Sequence, residues 1–178
     1  MSSGPQTGSF GARPIDDRTA RLPLKAAVLT ISSSLARGEG EDESGPELVK
    51  RCEKAGLEVQ AQVLPDDREA VAAALRSLAD GGGVRFIFTT GGTGLTPDDV
   101  TPEATRDVID REAPGYAETM RAVSIPYTKM LGILSRGVSG IRGRTLIVNF
   151  PGNPKAIGEG WQVVEPTLQQ AAQTLERE

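Results

Sequence analysis

The sequence predicts an α/β fold in which a mainly parallel β-sheet is covered by helices on both faces. From residue 25 onward, short apolar runs alternate with amphipathic segments of about ten residues, a pattern typical of strand–helix units in a parallel sheet. Polar, glycine-rich clusters follow the apolar runs. The carboxyl ends of parallel strands share one edge of an open sheet, and such folds bind their ligands there. We therefore expect one ligand crevice at that edge.

The first half of the chain predicts two strands, over residues 25–32 and 57–64, each leading to a helix. The first strand is a continuous apolar run, and the second alternates apolar with polar residues. The helix over residues 44–55 begins with a capping box, in which Ser44 is the N-cap and Glu47 lies three residues further on. We expect this helix to end at the glycine that follows it.

The second half predicts a buried third strand, more helices and a last strand. Apolar periodicity, flanking glycines and prolines define these elements. They are a helix over residues 67–78 ended by three glycines at 81–83, a strand over 86–89, helices over 102–111 and 115–123, a strand over 144–149, and helical sequence ending near residue 175.

Composition indicates one domain and disfavours several kinds of partner. The chain has 178 residues, 38% of them hydrophobic, which is enough for one domain with a core. Its formal net charge of −4 and low aromatic content disfavour a nucleic-acid surface. No apolar run is long enough to span a membrane, so we expect a cytoplasmic protein. Residues 1–23, rich in Gly, Ser and Pro, predict a flexible arm ahead of a domain over residues 24–178.

The side chains available for chemistry are restricted, because the chain has one cysteine and no histidine. Cys52 lies on a predicted amphipathic helix, where a packed or half-exposed thiol is expected more often than a nucleophile. A disulfide within the chain is impossible, and a zinc site of thiolates or imidazoles is disfavoured. Any reaction must therefore use carboxylates, hydroxyls, Lys or Arg, backbone amides and a borrowed metal ion.

The glycine loop after the third predicted strand is the most informative segment. Glycines at the carboxyl end of a strand leave backbone N–H groups open to a phosphate or another anion. Asp98 and Asp99 follow, and carboxylates beside such a loop suit Mg²⁺ that shares its remaining ligands with phosphates. The alternative is a plain strand-to-helix turn. A Walker A ending and a dinucleotide fingerprint are both missing. The loop residues are Thr90, Gly91, Gly92, Thr93 and Gly94.

Other candidate residues have structural alternatives of comparable weight. Asp66, with Glu69 three residues later, also fits the N-cap of the following helix. Thr101 is a better cap than Asp99, and Asp98 fits a solvated neighbour. Lys155 opens a helix, where a bound anion would offset the unfavourable helix dipole. The segment Ser135-Arg136-Gly137 also fits a simple turn before a strand or hairpin.

Several motifs in order closely resemble one known family from about residue 25 to the C-terminus. The family is that of the molybdopterin adenylyltransferases of molybdenum-cofactor biosynthesis, the MogA/MoaB type. The glycine loop differs from the Gly-Gly-Val-Ser-Val-Gly of the related molybdenum insertases. The motifs are TTGGTG at residues 89–94, Asp-Val-Thr-Pro at 99–102, Pro114-Gly115, Ser135-Arg136-Gly137 and Asn-Phe-Pro-Gly-Asn-Pro-Lys at 149–155.

The resemblance implies a three-layer α/β/α sandwich, a homotrimer and an enzyme that transfers AMP from Mg-ATP to molybdopterin, with release of pyrophosphate. The family's two functional aspartates match Asp66 and Asp99, which are expected to hold Mg²⁺. It also implies a partnership with the molybdenum insertase. The residues expected to bind phosphate and the other anionic parts of the substrates are Thr90, Gly91, Gly92, Thr93, Gly94, Ser135, Arg136, Pro151, Gly152, Asn153 and Lys155.

The chain departs from the family pattern after the first strand, where Ser32-Ser33 replaces the usual Ser-Asp or Thr-Asp. Any contact made by that carboxylate is then either missing or taken over by a hydroxyl or by the acidic loop at residues 39–43. Two alternatives therefore stay open beside the enzyme: a paralogue that binds molybdopterin without adenylylating it, and an unrelated doubly wound domain with another phosphorylated ligand.

Overall fold

The structure, a computed structural model, describes residues 24–128 and 130–177. Its centre is a six-stranded sheet in the order β2-β1-β3-β6-β5-β4. Four neighbouring strands are parallel, whereas β5 and β4 form an antiparallel edge beside β6. The strands are β1 (Lys25–Ile31), β2 (Glu58–Leu64), β3 (Phe86–Thr90), β4 (Arg111–Glu112), β5 (Ser139–Arg142) and β6 (Thr145–Phe150).

Helices cover both faces of the sheet, which confirms the predicted fold class. In chain order they are α1 (Ser33–Ala36), α2 (Ser44–Lys54), α3 (Arg68–Asp80), α4 (Thr101–Arg106), α5 (Gly115–Thr128), α6 (Pro154–Val164) and α7 (Leu168–Leu175). Two short 3₁₀ segments, Leu131–Leu134 and Glu165–Thr167, complete the connections.

Alternating side chains of the central strands divide the core into two layers. Phe86 and Phe88 of β3 face α2, α5, α6 and α7, whereas Ile87 between them faces α3 and α4. Because successive strand residues point to opposite faces, one buried strand supplies both cores. Trp161 of α6 lies edge-on to the Phe88 ring, with 5.6 Å between ring centroids. The site edge of the sheet is thus held by a core on each side.

Several expected helix caps are wrong in detail; Thr101, for example, is the first residue of α4 and not its cap. Ser44 is the first residue of α2 and not its N-cap; Asp42 accepts the backbone N–H of Gly45 at 2.9 Å instead. Asp67, and not Asp66, caps α3, because its side chain accepts the N–H of Ala70 at 2.7 Å. For α2 and α3, an aspartate one or two residues from the predicted cap has the required geometry, since Asp caps helices as well as Ser does.

The helix predicted over residues 102–111 is shorter than expected. It ends at Arg106, because the chain turns there and then pairs with β5. The N–H of Asp110 donates to the carbonyl of Ile141 at 2.7 Å, and this strand pairing replaces continued helix. The sequence pattern did not predict β4, α1 or the 3₁₀ segments, all of which have four residues or fewer.

The predicted arm over residues 1–23 lies outside the described residues. Within the described part of the chain, no helix has the length and apolar character needed to cross a membrane.

Candidate functional site

A cavity of about 760 Å³ opens at the carboxyl edge of the sheet, between the ends of β3 and β6 and helix α5. Most of the predicted site residues line it, so the expected convergence of separate loops occurs. Thr90, Asp66 and Arg136 are not among the lining residues. The predicted residues in its wall are Gly91, Gly92, Thr93, Gly94, Asp99, Ser135, Pro151, Gly152, Asn153 and Lys155.

The glycine loop has a backbone that only glycine adopts without strain at two positions. Gly91 has φ 98° and Gly92 has φ 64°. A Cβ at Gly91 would collide with the carbonyl oxygen of Ile31, and one at Gly92 with the hydroxyl of Thr101. That hydroxyl donates to the Gly91 carbonyl at 2.9 Å, and the Thr101 N–H donates to the Gly92 carbonyl at 3.1 Å. Helix α4 therefore begins by fixing the loop.

Asp66 lies against this loop from the end of β2. The backbone N–H of Ser33 donates to its Oδ2 at 2.7 Å, and the Asp66 N–H donates to the Ser33 hydroxyl at 2.9 Å. Its other oxygen, Oδ1, is 3.4 Å from where a Cβ would stand on Gly92. Ser33, which stands where the family pattern has an aspartate, therefore contacts Asp66 through both its backbone N–H and its hydroxyl.

Asp99 also lies against the glycine loop; it is next to Gly94, whereas Asp66 is next to Gly92. Its Oδ2 accepts the Thr96 N–H at 2.9 Å and the Thr96 hydroxyl at 2.6 Å, and it is 2.8 Å from a Cβ placed on Gly94. Burial alone would raise the pKa of Asp99, but hydrogen bonds from Thr96 and Gly94 and the charge of Arg136 lower it below its ordinary value. Asp66 and Asp99 thus flank one loop, and Asp99 is held as a carboxylate.

Arg136 holds the glycine loop in place through hydrogen bonds to backbone carbonyls, and it is not among the residues that line the cavity. Its Nε donates to the Gly94 carbonyl at 2.6 Å, and its Nη2 donates to the Asp99 carbonyl at 2.6 Å. Glu103 of α4 pairs with the guanidinium at 2.5 Å, and this contact lowers the pKa of Glu103. The guanidinium therefore makes four donor contacts within the protein, two to backbone carbonyls and two to the Glu103 carboxylate. We had expected this arginine to bind an anionic substrate group.

The turn before α6 lies beside the glycine loop in the cavity wall. Asn153 caps the helix, since its Oδ1 accepts the Ala156 N–H at 2.8 Å. Lys155 in the first turn is exposed at the cavity. Gly152 packs on the glycine loop, where a Cβ would stand 3.1 Å from the Gly91 Cα. The buried Thr90 hydroxyl donates to the Pro151 carbonyl at 2.8 Å and ties the two loops together.

Several cavity residues, among them Asn149 and Arg121, were not recognised as site residues from the sequence. Asn149, at the end of β6, is buried; its amide donates to the hydroxyls of Thr89 and Thr105 at 3.0 Å each, and its oxygen accepts the Val138 N–H. An asparagine ending an apolar strand was the available signal. Arg121 of α5, whose Nη1 donates to the Gly137 carbonyl at 2.9 Å, had none.

The remaining wall is apolar and comes from α5 and the 3₁₀ segment after it. Tyr127 and Leu131 are 65% and 64% exposed, and Leu134 is 44% exposed. Together with Met120 and Ala117 they face the glycine loop across the cavity. One side of the cavity therefore suits phosphates, and the other suits a flat, largely apolar group.

Comparison with known proteins identifies the family of the chain. A family model described as a probable molybdopterin binding domain matches residues 27–170. The chain belongs to this family. The resemblance inferred from the motifs is thereby confirmed, and the family is one of molybdenum-cofactor biosynthesis proteins.

Curated members of the family resemble the chain over most of its length. A Haemophilus influenzae protein named molybdopterin adenylyltransferase is 40% identical over 139 residues, which span 76% of this chain and 70% of the relative. A Helicobacter pylori protein of the same name is 37% identical, over 82% of this chain and 84% of the relative. The Drosophila melanogaster molybdenum cofactor synthesis protein cinnamon is 39% identical over 83% of this chain, but only 25% of its own length is matched.

Solved structures of family members share the fold. The molybdopterin biosynthesis enzyme MoaB from Thermus thermophilus superposes with a TM-score of 0.79 at 42% identity, over 85% of this chain and 96% of that one. A molybdopterin biosynthesis protein from Mycobacterium abscessus gives a TM-score of 0.79 at 35% identity, over 87% and 96% of the two chains.

Proposed function

We propose that this protein is a molybdopterin adenylyltransferase, which transfers AMP from ATP to the terminal phosphate of molybdopterin and releases pyrophosphate. The observation that carries the proposal is the meeting of the glycine loop, Asp99 and the turn before α6 in one cavity with an apolar far wall. Relatives of up to 40% identity with this name support it.

The reaction suits a chain that has no histidine. A phosphate oxygen of molybdopterin attacks the α-phosphorus of ATP, a new P–O bond forms, and the bond to the pyrophosphate oxygen breaks. The second pKa of a phosphate monoester is near 6, so at neutral pH this nucleophile is largely ionised and needs no general base. The protein's task is to align two anionic groups and to stabilise the charge on the leaving pyrophosphate.

Different residues of the cavity carry out different parts of this task. The backbone N–H groups of Gly92 and Thr93 bind phosphate, because those of Gly91 and Gly94 donate to the Phe150 carbonyl and to Asp99. Ser135 and Lys155 bind anionic parts of the substrates. Gly152 and Asn153 set the position of Lys155 at the start of α6. Arg136, whose contacts are internal, acts by holding the glycine loop in shape. The pterin ring packs against the apolar wall near Tyr127.

Mg²⁺ fits the donor set beside the loop. Among the described residues no cluster of three or more Asp, Glu, His or Cys is placed to hold a metal ion. A pair of carboxylates is what Mg²⁺ needs when phosphates and water complete its coordination. We propose that Asp66 and Asp99 hold it; Oδ1 of Asp66 faces the glycine loop, and both donors of Thr96 go to Oδ2 of Asp99. When bound, the ion neutralises charge on the triphosphate.

The decisive experiment incubates the purified protein with molybdopterin, ATP and Mg²⁺ and measures adenylyl-molybdopterin by mass spectrometry together with released pyrophosphate. Both products are expected in equal amounts. Tight molybdopterin binding with neither product, under conditions in which a bacterial relative turns over, would make the chain a carrier and overturn the enzymatic proposal.

We further propose a homotrimer that works in the cytoplasm, where ATP is available, and passes its product to the molybdenum insertase. Exposed apolar residues after α5, including Met130 and Ile133 at 55% and 57% exposure, support an interface between copies. The Drosophila relative supports a partner, because there this domain is one part of a longer protein. Light scattering should give three times the 18.8 kDa chain mass, and a monomer would contradict the trimer.

A further inference from the structure

Ser33 and Asp66 form a reciprocal pair of hydrogen bonds between the ends of β1 and β2. The strands are paired in parallel up to Ile31 and Leu64, so the two residues emerge side by side at the site edge. The Ser33 N–H donates to Asp66 Oδ2 at 2.7 Å, and the Asp66 N–H donates to Ser33 Oγ at 2.9 Å. Each residue therefore supplies one donor and one acceptor to the other.

The pair fixes which carboxylate oxygen is available. With Oδ2 bound to the Ser33 amide, Oδ1 is left facing Gly92 at the glycine loop. An N–H···O⁻ bond of this length is charge-assisted and holds the carboxylate rotamer. Without the hydroxyl, the Asp66 N–H would lose its partner and the connection after β2 would have more freedom. The Ser33 hydroxyl thus accepts the backbone N–H of Asp66, while the backbone N–H of Ser33 holds the Asp66 carboxylate.

We infer that Ser33 is a positioning residue for Asp66, holding Oδ1 toward the glycine loop so that a divalent cation accompanying a phosphate meets a preoriented ligand. This inference rests on the proposed function, since it assigns Asp66 to the cation of that site. A preoriented ligand loses less conformational freedom when the ion binds. The Ser33 hydroxyl should therefore affect cation affinity without touching either substrate.

The test compares three variants of the full chain: Ser33→Ala, which removes the hydroxyl, Ser33→Thr, which restores one, and Ser34→Ala as the matched control. Ser34 is the exposed neighbour, and its hydroxyl contacts only that of Ser32, at 3.1 Å, among the described side chains. Two quantities are measured: the Kd of Mn²⁺ by electron paramagnetic resonance in the presence of a non-hydrolysable ATP analogue, and the Kd of molybdopterin without metal.

We expect Ser33→Ala to weaken Mn²⁺ binding about tenfold, the equivalent of one lost hydrogen bond, with molybdopterin affinity unchanged. Ser33→Thr should recover most of the loss, and Ser34→Ala should match the wild type. Unchanged Mn²⁺ affinity in Ser33→Ala, or an equal loss of molybdopterin affinity, would overturn the inference.

The cation measurement needs no turnover, so it separates this inference from the proposed reaction. A wild-type protein that makes no adenylyl-molybdopterin but shows the Ser33 effect on Mn²⁺ would refute the reaction alone. A wild-type protein that makes the product, with Mn²⁺ binding indifferent to Ser33, would refute the positioning role alone.

Discussion

Two pairs of adjacent aspartates show how strongly the surroundings decide the role of one residue type. Asp66 and Asp99 lie against the glycine loop, whereas Asp67 caps α3 and Asp98 is exposed. Within each pair the side chains are identical and the positions consecutive. The difference therefore comes from the direction of each side chain at its turn, and Asp98 is a control for its neighbour Asp99.

Replacing Asp99 by Asn should reduce adenylyl transfer by about a hundredfold or more while changing molybdopterin affinity little. The amide keeps the shape but loses the negative charge that holds the cation, and this charge matters most as pyrophosphate leaves. Single-turnover rates and equilibrium binding would be measured for Asp99→Asn and for the control Asp98→Asn. Equal losses of binding and turnover in Asp99→Asn would mark a structural aspartate.

At the scale of elements, the glycine loop owes its shape to contacts from three directions. Helix α4 bonds it through Thr101, Arg136 binds the carbonyl of Gly94, and Gly152 packs on Gly91. A loop held by so many neighbours presents its N–H groups in one arrangement, which favours the binding of a phosphate of fixed geometry. Changes in these neighbours should therefore alter ligand affinity as well as stability.

Gly92→Ala should destabilise the fold more than Gly82→Ala and should alone weaken ATP binding. Both glycines have left-handed backbones, with φ 64° and 67°, so both variants lose about 1 kcal/mol or more to backbone strain. A Cβ at position 82 meets nothing within 4 Å, whereas one at position 92 collides with Thr101. Urea unfolding measures the loss of stability, and titration with ATP measures the loss of affinity. Equal values for both variants would mean that Gly92 only shapes the turn.

The Arg136–Glu103 pair predicts a stability difference that depends on pH. Arg136 lowers the pKa of Glu103 below its ordinary 4.5, so the pair stabilises the fold above that value and its contribution disappears as pH falls through the lowered pKa. Glu103→Gln should lower the free energy of unfolding by less than about 1 kcal/mol at pH 7, because the pair is partly exposed. At a pH below the lowered pKa of Glu103, the substitution should leave the free energy of unfolding unchanged.

The control for Glu103→Gln is Asp107→Asn, which breaks an exposed pair with Arg68 just after α4. Arg68 likewise lowers the pKa of Asp107, but neither residue contacts the glycine loop in the described structure. Only Glu103→Gln should weaken ATP binding. Weaker binding in both variants would mean that α4 as a whole, and not Arg136, supports the loop.

At the scale of the whole molecule, the core on the α2 side of the sheet encloses the single cysteine. Cys52 is fully buried among Leu48, Phe86 and other apolar side chains. Burial raises the pKa of the Cys52 thiol to about 12, so almost none of it is thiolate near neutral pH. The residue expected to be packed from its helical pattern is packed.

Cys52 should therefore react with a thiol reagent only when the core opens. At pH 8 the native protein should be labelled by iodoacetamide orders of magnitude more slowly than the protein in urea, with a rate that follows unfolding. Mass spectrometry after timed labelling measures this. Native labelling as fast as that in urea would show that α2 does not pack on the sheet.

The sequence by itself determined the fold class, the long elements and the edge of the sheet where ligands bind. These features follow from local periodicity and from the rule that parallel strands end at one edge, and both can be judged within a dozen residues. The glycine loop was identifiable for the same reason, since Gly91 and Gly92 occupy backbone conformations that other residues avoid.

Only the tertiary structure decided which polar side chains are free to meet a ligand. In the structure Asp67 caps α3, and Asp66 is hydrogen-bonded to Ser33, which lies 33 residues earlier in the chain. Arg136 donates to the backbone carbonyl of Asp99. Helix α4 also ends early, where pairing with β5 satisfies the backbone. Hydrogen bonds between residues distant in the chain depend on where the strands place them, and no local pattern records that choice.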